Sequence, residues 1–489
     1  MCCLKNFAKT SSYSAQMTIY LTLVLAVLIP LLMMMIDGAR NSACKSTLEA
    51  VTEMGMDSIL AEYHKELLDR YGLLLIDTSY GEMSGSLDNT KEHLKSYMMY
   101  NLHPKKDLLS AIGSRDLLGL DVEGIDFISA SRATDGKGEV FRYLACQYML
   151  EKVGISYLET MGDLDTEYAN FELYSGKNDD PMKEVMEAQK NIDQLTVTKP
   201  EDAGEDWEEP VKDQPAQEVT SVNRSGILKK VCSGSISGAS ANLDVYASKR
   251  DLVAGSGMNP EWKESLEFAE AFFFNEYLLT MMGYYGQERE DSLLQYQIEY
   301  IIAGKDNDKD NLKKIAWQIF GMRVLINSGL ISKSAARVEK IKTMAWGIAF
   351  VTFSPEAKPA YEELLKTAWI VAESLCDVKK LMHGKKIPLD KKSDEWQTSL
   401  WEGLSLNLKI GSDEGRGMDY KDYLRFMLLE VGIDKRTMRA MDIVEMDIRR
   451  ITGNNDFRLD NCIAGGEVQY IFTNIYGNAF LMKRKFSYY

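Results

Sequence analysis

An uncharged apolar stretch near the start of the chain limits most strongly what this sequence can fold into. Residues 17–36 contain no charged side chain; Lys9 precedes them and Asp37 follows. A helix rises about 1.5 Å per residue, so a stretch of this length can cross a hydrocarbon core of about 30 Å. The stretch therefore predicts one transmembrane helix. Its predicted anchor residues include Met17, Ile19, Leu21, Leu23, Leu25, Leu28, Leu31 and Ile36.

A cleaved signal peptide is the alternative interpretation of this stretch. The apolar core of a signal peptide runs over about 7 to 15 residues, which is shorter than residues 17–36, so we expect an uncleaved anchor in the cell membrane. Positive charges on the two flanks are nearly balanced. We expect residues 1–16 to be cytoplasmic and the bulk of the chain to be extracytoplasmic. The opposite orientation stays open, because unpaired cysteines also permit a cytoplasmic domain.

The composition argues against several classes of partner and site. The chain of 489 residues has a formal net charge of -16, which disfavours binding to nucleic acid or to anionic lipid. Its seven cysteines include no CxxC pair, and its four histidines lack metal-ligand spacing, so neither a disulfide scaffold nor a metal site is predicted. Nucleotide-binding and nucleophile-elbow motifs are also absent from the sequence. We expect no cofactor.

The helical pattern continues beyond the apolar stretch. Apolar residues recur mostly at steps of three and four between acidic side chains, which is typical of an amphipathic helix. One helix, or two nearly collinear helices broken near Gly38, is predicted from Met17 to Tyr71. We interpret the apolar stripe as a candidate partner-facing surface, with packing on the protein's own domain as the alternative. The stripe residues are Leu48, Val51, Met54, Ile59 and Tyr63.

A small α+β unit is predicted after this helix. Gly72 can end the helix, and residues 73–77 have the pattern of a short buried strand. Residues 120–130 alternate like a half-exposed strand. Because a membrane helix with an amphipathic outer half and an immediate strand is the outline of a pilin, we assign residues 37–173 to a pilin-like α+β region.

The rest of the chain divides by composition. Residues 174–224 are acidic and contain proline, which predicts a flexible linker. Residues 225–489 are predicted to form a mainly helical domain. The fold class is therefore α+β and predominantly helical. Its helices are predicted over residues 268–285, 292–303, 311–327, 359–383, 420–431 and 435–451, and a late strand over residues 466–475.

Several local sequences resemble one group of membrane proteins. The N-terminal half carries Asp37-Gly-Ala-Arg40 and residues 57–63 and 69–77. The C-terminal half carries Ile298-Glu-Tyr-Ile-Ile-Ala-Gly-Lys305 and residues 368–374 and 377–378. These segments resemble single-pass Firmicutes proteins that are described mainly as a domain of unknown function and are associated with Tad-type (Flp) pilus assembly. The resemblance covers most of the chain outside the acidic stretch. The resemblance is fairly specific for the family and says little about the chemistry of the protein.

Within that resemblance, the anchor is similar to the N-terminus of TadE- and TadG-like pseudopilins. Those proteins typically carry a Glu early in the hydrophobic segment, beside a prepilin-peptidase site. Here Tyr20 stands at the corresponding place, and no Gly precedes the span. The resemblance therefore implies a permanent anchor that helps to assemble or cap the system, rather than a major filament subunit.

One polar constellation stands out in the helical region. Glu373 and Asp377 are one helical turn apart, so they share a face, and Glu299, Arg323 and Asn327 lie on neighbouring predicted helices. Paired carboxylates can serve as a general acid and base. Because no nucleophile or metal ligand is nearby, we favour a buried ion-pair network that fixes helix packing.

We therefore expect a non-enzymatic, membrane-anchored extracytoplasmic component of a Tad/Flp-like pilus or secretion assembly system. Its expected partners are the lipid bilayer and other pilus or pseudopilin subunits, with no nucleic acid and no small-molecule substrate. The alternative is a surface adhesin or ligand-binding protein with a helical receptor domain. A hydrolase that uses Glu373 or Asp377 is a third hypothesis. Trp346 and Trp369 are expected to be core residues.

Overall fold

The computed structural model describes residues 7–103, 118–154, 161–195, 215–255, 260, 264–352, 354–389, 391–410 and 415–489, with side chains outside 7–16, 161–166 and 264–269. The helices are α1 (Phe7–Leu60), α2 (Lys65–Tyr71), α3 (Leu87–Leu102), α4 (Asp135–Val153), α5 (Met161–Glu172), α6 (Lys183–Asp193), α7 (Gln217–Thr220), α8 (Ile227–Val231), α9 (Glu264–Met281), α10 (Gln297–Ala303), α11 (Asp308–Ile331), α12 (Ala335–Val351), α13 (Lys358–Met382), α14 (Leu400–Leu404), α15 (Tyr420–Glu430) and α16 (Ile433–Arg449). The strands are β1 (Ile76–Asp77), β2 (Leu120–Arg132), β3 (Cys462–Asn474) and β4 (Ala479–Ser487).

Helix α1 is a single unbroken helix of 54 residues. It continues through Pro30 and Gly38 and ends at Leu60, so α2 is a separate short helix. From Met17 onward α1 is long and apolar enough to cross a membrane, and this apolar window is not buried against the protein. A signal sequence near an N-terminus has the same properties.

The second half of α1 packs on a small sheet. Strand β3 lies at the centre and pairs antiparallel with β2 along one edge. β1 pairs with the first residues of β3, and β4 pairs with the following ones, so both lie along the other edge. Alternate residues of β3 point to one face, where Val468, Tyr470 and Phe472 are buried in a core shared with α1 and α3.

The predicted partner-facing stripe of α1 contributes mainly to this core. Leu48, Val51 and Ile59 are almost fully buried against the sheet and α3, whereas Met54 is 44% exposed and Tyr63 is 39% exposed. The alternative interpretation, packing on the protein's own domain, therefore describes the first three residues. Only Met54 and Tyr63 remain partly open to a partner.

A larger helical body forms the rest of the structure. Helix α13 lies inside it and contacts α6, α8, α11, α12 and α14. A helix that is surrounded in this way must be apolar on most of its faces, and α13 is buried almost continuously from Thr367 to Asp377. A neighbouring group contains α4, α9 and α16, in which Phe141 meets Phe274 edge-on with ring centroids 6.4 Å apart.

The structure differs from the predicted division of the chain in two places. Residues 183–193, inside the predicted flexible linker, form helix α6, which packs on α13 and buries Val185, Ala188 and Ile192. Three apolar residues on one face are enough to hold this short amphipathic helix on the body. The most acidic part, residues 196–214, lies outside the described residues. The pilin-like region is also not self-contained, because β3 and β4 from the C-terminal region build most of its sheet.

The predicted fold class, α+β and predominantly helical, is confirmed. The α-helices predicted in the C-terminal region correspond to α9, α10, α11, α13, α15 and α16. The late alternating stretch corresponds to β3.

Replacing Leu48 by Ala should destabilise the packing of α1 on the sheet. Leu48 is fully buried, so the free energy of unfolding should fall by about 2–5 kcal/mol through lost burial and a residual cavity. Met54→Ala, on the exposed side of the same helix, should change it by less than about 0.5 kcal/mol. Urea unfolding of the full chain in detergent, followed by circular dichroism, measures both values. Equal losses of unfolding free energy in the two variants would contradict the burial of Leu48 against the sheet.

Candidate functional site

The polar constellation predicted on α13 lies inside the helical body. Glu373 and Asp377 sit one turn apart on α13, and Arg323 and Asn327 face them from α11. All four side chains are at most 1% exposed. The structure therefore brings together four of the five residues that sequence reasoning grouped. The fifth, Glu299, lies elsewhere.

Asp377 is held by three side chains. Its Oδ2 accepts hydrogen bonds from Arg323 Nε and Asn327 Nδ2, each at 3.0 Å, and its Oδ1 accepts one from Lys391 Nζ at 2.8 Å. Arg323 Nη1 also donates to the carbonyl of Pro388 at 3.0 Å. Burial raises the pKa of Asp377, but the charges of Arg323 and Lys391 outweigh burial and lower the pKa to about 2. The carboxylate is therefore ionised at neutral pH.

Glu373 is the second carboxylate of this network. Its Oε2 accepts hydrogen bonds from the backbone N–H and the hydroxyl of Thr398 at 2.8 and 2.7 Å. Its Oε1 accepts one from the backbone N–H of Gln397 at 2.8 Å and one from Lys391 Nζ. Lys391, which is 2% exposed, thus bridges the two carboxylates.

The network balances its own charges. Two cations, Arg323 and Lys391, face two carboxylates on α13. The cavity beside Asp377 and Lys391 has a volume of about 30 Å³, far below the range of about 300–1,000 Å³ typical of ligand pockets. The open space beside the charged groups is therefore small. The arrangement can fix α11 and the chain between α13 and α14 onto α13.

Sequence reasoning missed Lys391. Lys385 and Lys386 follow α13 more closely along the chain. The sequence gives little indication of Lys391, because its ammonium group reaches the two carboxylates only through the path that the chain takes between α13 and α14.

Glu299 is a separate buried carboxyl group on α10. Its Oε1 accepts hydrogen bonds from the backbone N–H of Tyr285 at 2.9 Å and from the hydroxyl of Tyr420 at 2.8 Å. Its Oε2 has no hydrogen-bond partner among the described residues. Burial raises the pKa of Glu299 to about 7. This residue is therefore close to half-protonated at neutral pH.

An apolar groove crosses the surface of the helical body between α7, α12 and α14. Its volume is about 660 Å³, within the range of about 300–1,000 Å³ typical of ligand pockets. We call it the apolar groove. It is lined by Pro215, Gln217, Glu218, Met344, Gly347, Ile348, Val351, Trp401, Leu404 and Ser405.

Large apolar side chains stand exposed at or beside this groove. Trp401 is 71% exposed and Val351 is 70% exposed. Trp346 stacks on Phe350 on α12, with ring centroids 5.4 Å apart, and is 59% exposed. The expectation that Trp346 is a core residue is therefore wrong, because only one face of α12 is covered by α13 and Trp346 does not lie on it. Trp369 is buried, as expected.

Comparison with known proteins identifies the family of the chain. Residues 205–474, more than half of the chain, match a family of unknown function, DUF5702. The chain belongs to DUF5702. The matched segment contains the α13 network and most of the apolar groove, whereas α1 precedes it. No curated protein and no solved structure matches this DUF5702 chain. The sequence resemblance to a family of unknown function is thereby supported, whereas the match carries no link to Tad/Flp pili or to Firmicutes.

Removing the bridging ammonium group should destabilise the DUF5702 region strongly. Lys391→Met leaves Glu373 and Asp377 buried with one cation fewer, so the free energy of unfolding should fall by about 3–5 kcal/mol. Lys392→Met, at the exposed neighbouring position, should change it by less than about 0.5 kcal/mol. Urea unfolding followed by tryptophan fluorescence compares them. A loss in Lys391→Met no larger than in this control would show that the network contributes little.

Glu299 should make stability depend on pH near neutrality. Its pKa in the folded chain, about 7, lies above the ordinary value of about 4.3. Folding therefore takes up a proton between these pH values, and stability falls as pH rises from about 4.5 to 7 before levelling off.

Glu299→Gln stays neutral at every pH and should remove this slope. Relative to the parent chain, the variant should gain up to roughly 3 kcal/mol between pH 4.5 and 8. Glu290→Gln, at an exposed position, is the control and should follow the parent. Denaturant unfolding at several pH values measures the difference. Parallel curves for the parent and Glu299→Gln would refute a raised pKa.

Proposed function

We propose that this DUF5702 chain is a non-enzymatic, membrane-anchored extracytoplasmic component of an assembly system of the Tad/Flp pilus or secretion type. One observation carries the proposal. The apolar part of α1 is unburied, and the same helix continues without a break into the core that it forms with the sheet. A helix with these two environments is suited to holding a folded body at a membrane.

The distance between the two environments supports this role. Ile36 ends the uncharged stretch, and Cys44 is the first fully buried residue on the same helix. Eight residues of helix correspond to about 12 Å, so the folded body begins close to the membrane surface. A continuous helix also transmits orientation, which a flexible linker does not. The body would therefore be presented to neighbouring subunits in a defined direction.

The charged groups on α13 support a non-enzymatic role. They neutralise one another, and the adjoining cavity has a volume of only about 30 Å³. Tyr20 at the place of the pseudopilin Glu supports a permanent anchor over a major filament subunit. The link to a pilus system rests on the sequence resemblance alone.

Surface labelling tests the anchor and its orientation. Ser221 follows α7 and is exposed, so Ser221→Cys should react with a membrane-impermeant maleimide on intact cells. Native Cys2 and Cys3 precede the anchor and should react only after lysis. A Cys232→Ser background removes the partly exposed native thiol. Labelling of Ser221→Cys only after lysis would overturn the extracytoplasmic placement.

The partner is tested on the same cells. A photo-reactive residue at Met54, the partly exposed position of the α1 stripe, should cross-link to pilus or pseudopilin subunits. The same residue at Leu48, which is buried in the core, is the matched control and should cross-link only within the chain. Cross-links from Met54 to none of these subunits would contradict the assembly role while leaving the anchor intact.

The apolar groove favours a second candidate function, a surface adhesin or ligand-binding protein. A concave apolar surface of about 660 Å³ bordered by Trp401 and Val351 is suited to an apolar ligand. Any test of this candidate needs the full chain, because residues from α2 and α4 share one core with the C-terminal helices.

A further inference from the structure

A second cavity of about 330 Å³ lies on the helical body where α10, α16 and the segment 243–249 meet. Three cations line it: Lys249, Lys435 and Arg439. We call it the basic pocket. It stands out because the chain as a whole carries a formal net charge of -16.

The fold holds Arg439 in a fixed position at this pocket. Its Nη1 donates to the carbonyls of Ile301 and Ile302 at 2.6 and 3.0 Å, at the end of α10. Gly304 caps α10 with a φ of 67°, and a Cβ there would lie 2.0 Å from Arg439 Nη2. Glycine at this position therefore makes room for the guanidinium group. Within the described part of the chain, no carboxylate forms an ion pair with Arg439.

The charges around the pocket are mainly positive. Burial lowers the pKa of Lys314, and the charges of Arg439, Lys305, Lys435 and Arg224 lower it further. All of these neighbours are cations, and each repels the ammonium group of Lys314. Lys249 and Lys435 have no ion-pair partner among the residues that the structure describes.

One carboxylate also lines the pocket. Asp434 Oδ2 lies 2.9 Å from Lys137 Nζ, and this ion pair offsets its charge. The hydroxyl groups of Tyr300 and Ser248 both donate hydrogen bonds to Asp442, so these two hydroxyl groups are already engaged. Recognition in the pocket would therefore rest on the three lining cations.

From this geometry we propose that the basic pocket binds an anionic phosphoryl group. A guanidinium offers planar paired donors, and lysines supply mobile point charges, which together suit the oxygens of a phosphate. An anion would relieve the repulsion among the cations, and the volume accommodates a phosphate with a small substituent. The group could come from a free phosphate compound or from a phospholipid headgroup. The proposal does not depend on the assembly role.

Calorimetric titration tests the pocket with inorganic phosphate as the probe. The full chain is held in phosphatidylcholine nanodiscs, and sodium chloride at matched ionic strength is the blank. We expect saturable binding that Arg439→Gln weakens roughly tenfold. Lys249→Gln combined with Lys435→Gln should weaken it by a similar factor and should leave the fold intact, because both side chains are exposed. Lys340→Gln, at an exposed position of α12, is the control and should bind phosphate like the parent chain.

A second titration distinguishes the two sources of the phosphoryl group. In phosphatidylglycerol nanodiscs, a lower apparent affinity for inorganic phosphate than in phosphatidylcholine, at equal ionic strength, identifies the headgroup as the occupant. Equal affinities identify a free phosphate compound. The proposal would be overturned if saturable binding were absent, or if the double lysine variant and Lys340→Gln weakened phosphate binding equally. Either result would decide against the pocket, whatever the result for Arg439→Gln.

Discussion

The contact between α1 and β3 is the interaction on which the architecture depends. It joins the beginning of the chain to its end, because β3 starts at Cys462 and buries Val468, Tyr470 and Phe472 in the core that contains Leu48 and Val51. Closing so large a loop is slow and entropically costly, and it is offset only when the whole core forms. The apolar helix is therefore attached directly to the folded body. A fragment without the C-terminal residues would lack β3 and β4, and a fragment without α1 would leave one face of the sheet uncovered.

Inside that body, buried charges set the positions of the helices. Arg323, Lys391, Glu373 and Asp377 form a closed and neutral set with nearly all of their hydrogen-bonding capacity directed at one another or at backbone groups. Such a set gives little net stability over apolar packing but penalises any arrangement that separates its members. In the basic pocket, by contrast, three cations face one lining carboxylate, Asp434. The two sites use the same residue types, and the balance between cations and carboxylates distinguishes their roles.

Local patterns were sufficient for the features that depend on nearby residues. The uncharged stretch, the face shared by Glu373 and Asp377, and the extent of α13 all follow from helical spacing. The partners of β3 could not be predicted, because strand pairing between distant segments leaves no local signal. Lys391 was missed for the same reason. Trp346 was expected in the core, but only one face of α12 is covered and Trp346 is exposed. Helix α6 was not predicted, because the acidic composition of the following residues indicated a linker and outweighed the helical spacing of Val185, Ala188 and Ile192.

If this architecture holds at a membrane, one helix lies in lipid along its first half and on the protein along its second. Spin labels at Leu25 and Met54 of the full chain in a bilayer test it most directly, by comparing collision with dissolved oxygen and with a water-soluble nickel chelate. We expect the label at Leu25 to collide with oxygen and to be protected from the chelate, whereas the label at Met54 should be reached by the chelate. Chelate access at Leu25, or loss of residue 25 from the mature chain, would contradict it.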